Sequence, residues 1–187
     1  MGRLIYGMSA SLDGYTAAVG DDISWSEPDD ELHQFWNDHA RSISMSLYGR
    51  KLYELMSAYW PTADEQPDAT PVTVDFARVW RETPRVVFSK TLTEVGWNSR
   101  LERGDLIEVA RRLKAEEDGL LEVGGATLAA PLVRAGLVDV YQVVVYPVLV
   151  GGGTRFFPPL DNWADLRLVE NRTFPSGAVL LRYETGR

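Results

Sequence analysis

Three short segments hold the residues best suited to meeting a phosphorylated ligand: Gly49-Arg50-Lys51, Ser89-Lys90-Thr91 and Gly124-Gly125-Ala126-Thr127. Glycine lets backbone N–H groups approach a pyrophosphate without side-chain obstruction, while Arg50, Lys51 and Lys90 can neutralise phosphate charge. Each segment follows an apolar run that reads as a β-strand. In open parallel sheets, ligands gather beyond the carboxyl ends of the strands, where helix N-termini offer unpaired N–H groups. Together the three segments sketch a dinucleotide cradle. Singly, each has a plainer explanation: a turn at Gly49, close helix packing at Gly125, a solvated charge at Arg50. The G-x-G-x-x-G fingerprint followed by an acid is missing, so spacing alone does not establish a dinucleotide-binding domain of that type.

Other chemistries are excluded by composition. The chain of 187 residues has no cysteine, which removes disulfides, thiolate nucleophiles and cysteine-ligated zinc. Its two histidines, His33 and His39, are too few for a His-rich metal centre, and no metal is expected. Both fall on or beside a predicted helix, where a structural role is the expectation. A formal net charge of −8 argues against a nucleic-acid surface, so any phosphate site must be local. No signal-peptide pattern and no run of ~18 apolar residues occurs, which points to a cytoplasmic protein that does not enter a membrane.

The elements that must position these segments follow from periodicity. Leu4 to Leu12 reads as a strand running into the turn Asp13-Gly14-Tyr15. Ser26-x-x-Asp29 resembles a capping pattern, and Leu32, Phe35, Trp36 and Ala40 recur at helical spacing, predicting a helix over Asp29 to Ala40. Ile43, Met45 and Leu47 alternate with serines in a strand that stops at Gly49, after which Leu52, Leu55, Met56 and Tyr59 resume the helical period. Trp60 to Pro71, with three prolines, reads as an exposed connection. Phe76, Val79 and Trp80 mark a helix stopped by Pro84; Arg85 to Phe88 is a short strand; Leu106, Val109, Ala110 and Leu113 mark another helix. Leu120 to Val123 is a strand, and an apolar helix follows Gly124-Gly125 and ends at Gly136, with Pro131 forcing its start toward Thr127. Val138 to Val150 reads as one long central strand covered on both faces. Leu166 to Thr173 and Ala178 to Glu184 flank the turn Pro175-Ser176-Gly177. This order predicts a single α/β domain: a three-layer sandwich with a mostly parallel central sheet, helices on both faces and a C-terminal antiparallel hairpin.

Read against known families, the chain resembles the dihydrofolate-reductase-like superfamily, and within it the branch containing the C-terminal reductase domain of riboflavin-biosynthesis deaminase-reductases. The marks are Ser9-Ala10-Ser11-Leu12-Asp13-Gly14, Leu47-Tyr48-Gly49-Arg50-Lys51-Leu52-Tyr53-Glu54 and Val86-Val87-Phe88-Ser89-Lys90. The most specific lie later: Glu122-Val123-Gly124-Gly125, Gly136-Leu137-Val138-Asp139 and Tyr146-Pro147-Val148-Leu149-Val150-Gly151-Gly152-Gly153. Two departures are Leu52, where a phosphate-contacting threonine is common, and Ala126, where a third glycine often follows the pair.

The resemblance implies NADPH across the strand ends, with its pyrophosphate at Gly49-Arg50 and Gly124-Gly125, Ser89 and Lys90 at the adenosine 2′-phosphate, and the Ala10, Asp13, Gly14 loop near the nicotinamide. A hydroxyl and a cation suit that extra phosphate, whereas a ribose without it favours a carboxylate. The family's catalytic carboxylate sits at the first helix, where Asp30 and Glu31 are both candidates; both also suit a helix N-terminus for purely structural reasons. Trp25, Trp36, Tyr53 and Trp60 can line a planar substrate or pack the core, with packing the stronger account for Trp36. Gly151-Gly152-Gly153 shapes a loop over the substrate mouth or ends the long strand. The implied activity is hydride transfer to a small-molecule ribosylaminopyrimidine or related heterocycle, in the manner of 5-amino-6-(5-phosphoribosylamino)uracil reductases. Dihydrofolate reduction, a non-enzymatic NADP(H)-binding module and a dimeric scaffold are the alternatives. Deamination is excluded, because its zinc signature needs residues this chain lacks. Pairing through the C-terminal strands, common in the family, implies a homodimer.

Overall fold

Strand β1 (Arg3–Ser11) divides its side chains between two faces: Leu4, Tyr6 and Ala10 enter the largest core cluster, while Ile5 packs with Ile43 and Val140 on the other side. This period-two alternation, repeated along the chain, is what lets one sheet separate two helical layers. The computed structural model describes residues 2–186. The order continues with β2 (Tyr15–Ala17), α1 (Asp30–Ser42), β3 (Ile43–Gly49), α2 (Arg50–Tyr59), α3 (Pro71–Glu82), β4 (Arg85–Phe88) and β5 (Ser99–Glu102). It ends with α4 (Leu106–Glu116), β6 (Leu120–Gly124), α5 (Ala126–Arg134), β7 (Val140–Tyr146), β8 (Thr154–Arg155), β9 (Leu166–Thr173) and β10 (Val179–Thr185).

Eight strands form one sheet in the order β5-β4-β3-β6-β1-β7-β10-β9. Pairing is parallel from β5 through β7 and antiparallel across β7, β10 and β9. Val109, Ala110 and Leu113 of α4 and Ala126, Ala129, Leu132 and Val133 of α5 close over Leu4, Tyr6, Leu47, Val86, Leu121 and Val123. Across the sheet, Leu32 of α1 packs on Val144, Tyr146 and Leu180. The three-layer α/β sandwich is thus present, and no helix among the described residues is long and apolar enough to cross a membrane.

Four boundaries differ from the sequence expectation. The strand expected over Val138 to Val150 is only β7: Asp139 accepts from the Leu4 N–H and pairs with Lys114, and Pro147 supplies no donor for a further ladder bond. Helix α5 begins at Ala126 with Pro131 inside it. The segment after Trp60 is not simply exposed: Pro61 and Ala63 are buried in a 3₁₀ turn that Arg81 grips through both oxygens of Asp64. Strand β5 was not foreseen, because Ser-Arg-Leu-Glu on a sheet edge carries no apolar alternation.

The cap of α1 is Asp29, not Ser26. Its Oδ1 accepts from Leu32 N at 2.8 Å and its Oδ2 from Ser176 N at 2.9 Å, tying the helix to the hairpin turn. The bond from Leu32 holds this carboxyl below its ordinary range, with Ser176 adding to the effect. Its stabilisation is therefore full above the unfolded carboxylate pKa of ~3.9 and is lost as pH falls through the lower folded value. Asp29→Ala is expected to cost about 1 kcal/mol in urea unfolding at neutral pH, a deficit that shrinks on acidification.

Candidate active site

The parallel register brings the ends of β3 and β6 side by side, with Tyr48 opposite Gly124, and the end of β4 next to β3, with Phe88 opposite Gly49. Helices α2 and α5 start at Gly49 and Gly125, and neither N-terminus receives a side-chain cap. Their first N–H groups therefore stay free for a ligand's oxygens. Gly125 holds φ at 90°, which an L side chain adopts only with strain, and a Cβ on Gly124 would lie 2.5 Å from Leu52 Cδ2 and 2.8 Å from the Tyr48 ring. Leu52 thus fills the hollow against Gly124 rather than presenting a hydroxyl. Arg50 and Lys51 are exposed in the first turn of α2, with Glu54 4.0 Å from Arg50 and Asp21 3.1 Å from Lys51. Ala126 is buried at the start of α5 and Thr127 is exposed.

The third loop follows β4. Ser89 is buried, and its Oγ accepts from Thr91 N and Leu92 N, so the hydroxyl braces the loop. Lys90 and Thr91 are exposed beside it, and Arg103, beyond β5, donates to the carbonyls of Ser89 and Leu92. At the end of β1 the Ala10 methyl is buried in the main core, leaving only backbone to face a ligand. Asp13 is occupied as well: it accepts from Ser11 Oγ, Val150 N and Gly151 N, and these bonds lower its pKa, the one from Ser11 most. Gly14 holds φ at 87° with open space where a Cβ would stand. The triglycine segment is a packing joint, with Gly153 pressed on Ala17 and Ala18.

Next to the Gly124-Gly125 junction a cleft of about 220 Å³ opens between the sheet and α1, α2 and α3. Trp36, Met56, Phe76 and Trp80 supply apolar lining, and Gly124 and Gly125 line it too. The sheet side is polar. Arg85 stands opposite Ser46, and Ser46 opposite Glu122, on three adjacent strands. Glu122 Oε1 lies 2.7 Å from His39 Nε2, with side-chain exposures of 15% and 4%. Gly7 leaves the floor open beside them: a Cβ there would meet Glu122 Oε1 and Gln142 Nε2 at about 3.6 and 3.5 Å. Burial, and then the charge of Glu122, push the Tyr48 phenol up to about 12, so it stays a proton-bearing donor across the physiological range.

Asp30 and Glu31 do not line this cleft. Both are exposed at the start of α1, and Glu31 pairs with Arg172 of β9 at 2.6 Å. Helix phase explains it: the face of α1 that meets the cleft carries Trp36, His39 and Ala40, more than a turn further on. Of the four aromatic candidates only Trp36 lines the cleft, while Trp25 packs edge-on against Tyr146, Trp60 packs on Phe76, and Tyr53 ties down Gly96 through its hydroxyl. No cluster of three or more His, Asp or Glu side chains able to hold a metal occurs among the described residues.

Residues 3–180 match the RibD C-terminal domain family. The chain belongs to that family. An uncharacterized relative, YyaP of Bacillus subtilis, is 28% identical over 182 residues, covering 97% of this chain and 94% of its own. The RibD C-terminal fold seen here also superposes on a putative riboflavin biosynthesis protein from Shewanella, with a TM-score of 0.76, 20% identity and full coverage of both chains. It superposes on the Enterococcus faecalis dihydrofolate reductase solved with NADP(H) at a TM-score of 0.65, with 16% identity over 100% of this chain and 98% of that one. The dihydrofolate-reductase-like architecture is thereby established.

His39, Glu122 and Arg85 carry no signal as a set in this RibD-type sequence. Each does carry one alone. Glu122 is a charge inside an apolar strand run, His39 falls seven residues after Leu32 on the buried face of α1, and Arg85 opens a run of buried β-residues.

Proposed function

We propose that this protein is an NADPH-dependent reductase of a planar heterocycle, of the 5-amino-6-(5-phosphoribosylamino)uracil reductase type or close to it. The observation that carries the proposal is the aromatic cleft with its His39–Glu122 pair, lined also by Gly124 and Gly125 at the uncapped start of α5 and by Leu52 of α2, whose own N-terminus is likewise uncapped. Gly49 and Gly125 leave room for phosphate oxygens, Arg50 adds charge beside them, and Lys90 is the cation for the adenosine 2′-phosphate. When bound, the reduced nicotinamide supplies the hydride. The chain's own work is to hold the ring between Trp36, Phe76 and Met56, exclude water, and deliver a proton. Glu122, the more exposed member of the pair, meets the ring nitrogen or oxygen that gains the proton, and His39 behind it holds and replaces that proton. Asp30 and Glu31 lie outside the cleft and have no part in this step.

Titration of the native protein with NADPH and NADH, followed by nicotinamide fluorescence, tests the cofactor side. Lys90→Ala is expected to weaken NADPH about tenfold and leave NADH unchanged, the loss of one charge-assisted contact. Arg50→Ala is expected to weaken both. Failure of the native chain to bind either cofactor would sink the proposal, and tight binding without turnover would leave a nucleotide-binding module.

A further inference from the structure

Among the described residues, Arg85 is the one buried arginine or lysine with no carboxylate partner. It is 2% exposed, none of Nε, Nη1 and Nη2 meets hydrogen-bond geometry with a partner in the chain, and the neutral Tyr48 hydroxyl beside it is the polar group that offsets part of its burial. One face of the guanidinium lies on the Trp80 ring, 3.7 Å from its centroid. The other arginines and lysines that are not exposed, among the described residues, all have carboxylates: Arg81 has Asp64 at 2.7 Å, Lys114 has Asp139 at 2.5 Å, and Arg182 has Glu170 at 2.6 Å. Burial pushes the Arg85 guanidinium down from its ordinary value, yet an arginine stays charged throughout the physiological range. A desolvated cation without an anion is costly, and the chain tolerates it in a residue that lines the cleft.

Two further features give the cleft a direction. Arg85 and Glu122 both stand opposite Ser46, from β4 and β6 on its two sides, so the cationic and acid–base ends are held apart by the width of a strand pair. Tyr48, whose phenol burial keeps protonated, interacts with both and supplies no negative charge. A ring in the cleft therefore meets His39–Glu122 at one end and an unanswered positive field at the other.

We propose that Arg85 anchors an oxyanion substituent on a planar ring, so that the cleft takes ring acids in preference to their neutral analogues. The claim deepens the reductase proposal, from which it takes the cleft as the substrate site, but its test uses neither cofactor nor turnover. Calorimetric titration of the full chain with 2-naphthoate and with its neutral amide, 2-naphthamide, reads it directly. The acid is expected to bind at least about tenfold more tightly, the effect of one desolvated charge-assisted contact. Arg85→Met is expected to erase that preference while keeping the affinity for the amide, and Arg85→Lys to retain part of it. Equal affinities in the native protein, no binding of either probe, or a preference that survives in Arg85→Met would overturn the proposal. The native comparison decides even if a variant fails to fold. Acid preference without NADPH binding would remove the reductase proposal and leave the anchor standing; NADPH binding without acid preference would do the reverse.

Discussion

Glu122→Gln is expected to slow single-turnover reduction by ~10²–10⁴ while leaving NADPH affinity unchanged, the usual loss when a positioned proton donor is removed. The substitution keeps the size of the side chain and its ability to bond His39 Nε2, now at 2.7 Å from Oε1, so the cleft retains its shape. What it removes is exchange of a proton with the substrate. His39→Asn is expected to slow the reaction as well, because Glu122 then loses the ring nitrogen that holds it in place in the cleft. The assay uses 5-amino-6-(5-phosphoribosylamino)uracil-type and dihydrofolate substrates in turn, with Asp30→Asn and Glu31→Gln as controls. If either control slows the reaction as much as Glu122→Gln does, proton delivery belongs to the start of α1 and not to the cleft floor.

The second large effect is on stability. Gly153 adopts φ of 125°, and a Cβ there would sit 2.1 Å from the Ala17 carbonyl oxygen and 2.7 Å from Ala18 C. Both obstacles are backbone, Ala17 held in the β2–β8 pairing and Ala18 bonded through its N–H to Asp22 O, so they cannot swing aside as a side-chain tip would. Gly153→Ala is expected to cost about 3 kcal/mol or more, combining a strained backbone conformation with overpacking. In a chain of this length that lowers Tm by roughly 6–12 °C. Gly14→Ala separates the two contributions. Gly14 has positive φ but open space around it, so its variant should lose only about 1 kcal/mol. Equal losses for the two would mean that the close approach of the 151–153 segment to residues 17 and 18 is not what fixes this rim.

That rim joins distant parts of the chain. Phe156 N donates to Gly14 O, Tyr6 Oη donates to Phe156 O, and Asp13 holds the backbone of Val150 and Gly151. The sequence marks Asp13 and the triglycine run as unusual, but only their pairing assigns them. The Asp13 carboxylate ties the first-strand loop to the backbone of Val150 and Gly151, and Gly153 serves close packing.

The order of strands and helices was legible because it is local. Alternation in β1 and β3, the helical spacing of Leu52, Met56 and Tyr59, and glycines at strand ends are each written within a few residues. The three-layer arrangement and the position of the glycine junctions beyond parallel strands follow from that order. The edge strand β5 was illegible for the same reason, since a half-exposed strand of Ser-Arg-Leu-Glu needs no pattern.

The cleft was decided by tertiary structure alone. His39 and Glu122 lie 83 positions apart, and Arg85 meets their neighbourhood only because the sheet sets β6 beside β3, on the side opposite β4. Arg85 and Glu122 are each a single polar residue among the apolar ones of a strand, which a periodic pattern treats as an exception, and His39 is one polar residue among many in α1. Long-range strand register turns those exceptions into one polar row, and register is fixed by the burial of both faces at once, a property of the whole sheet that no single segment contains.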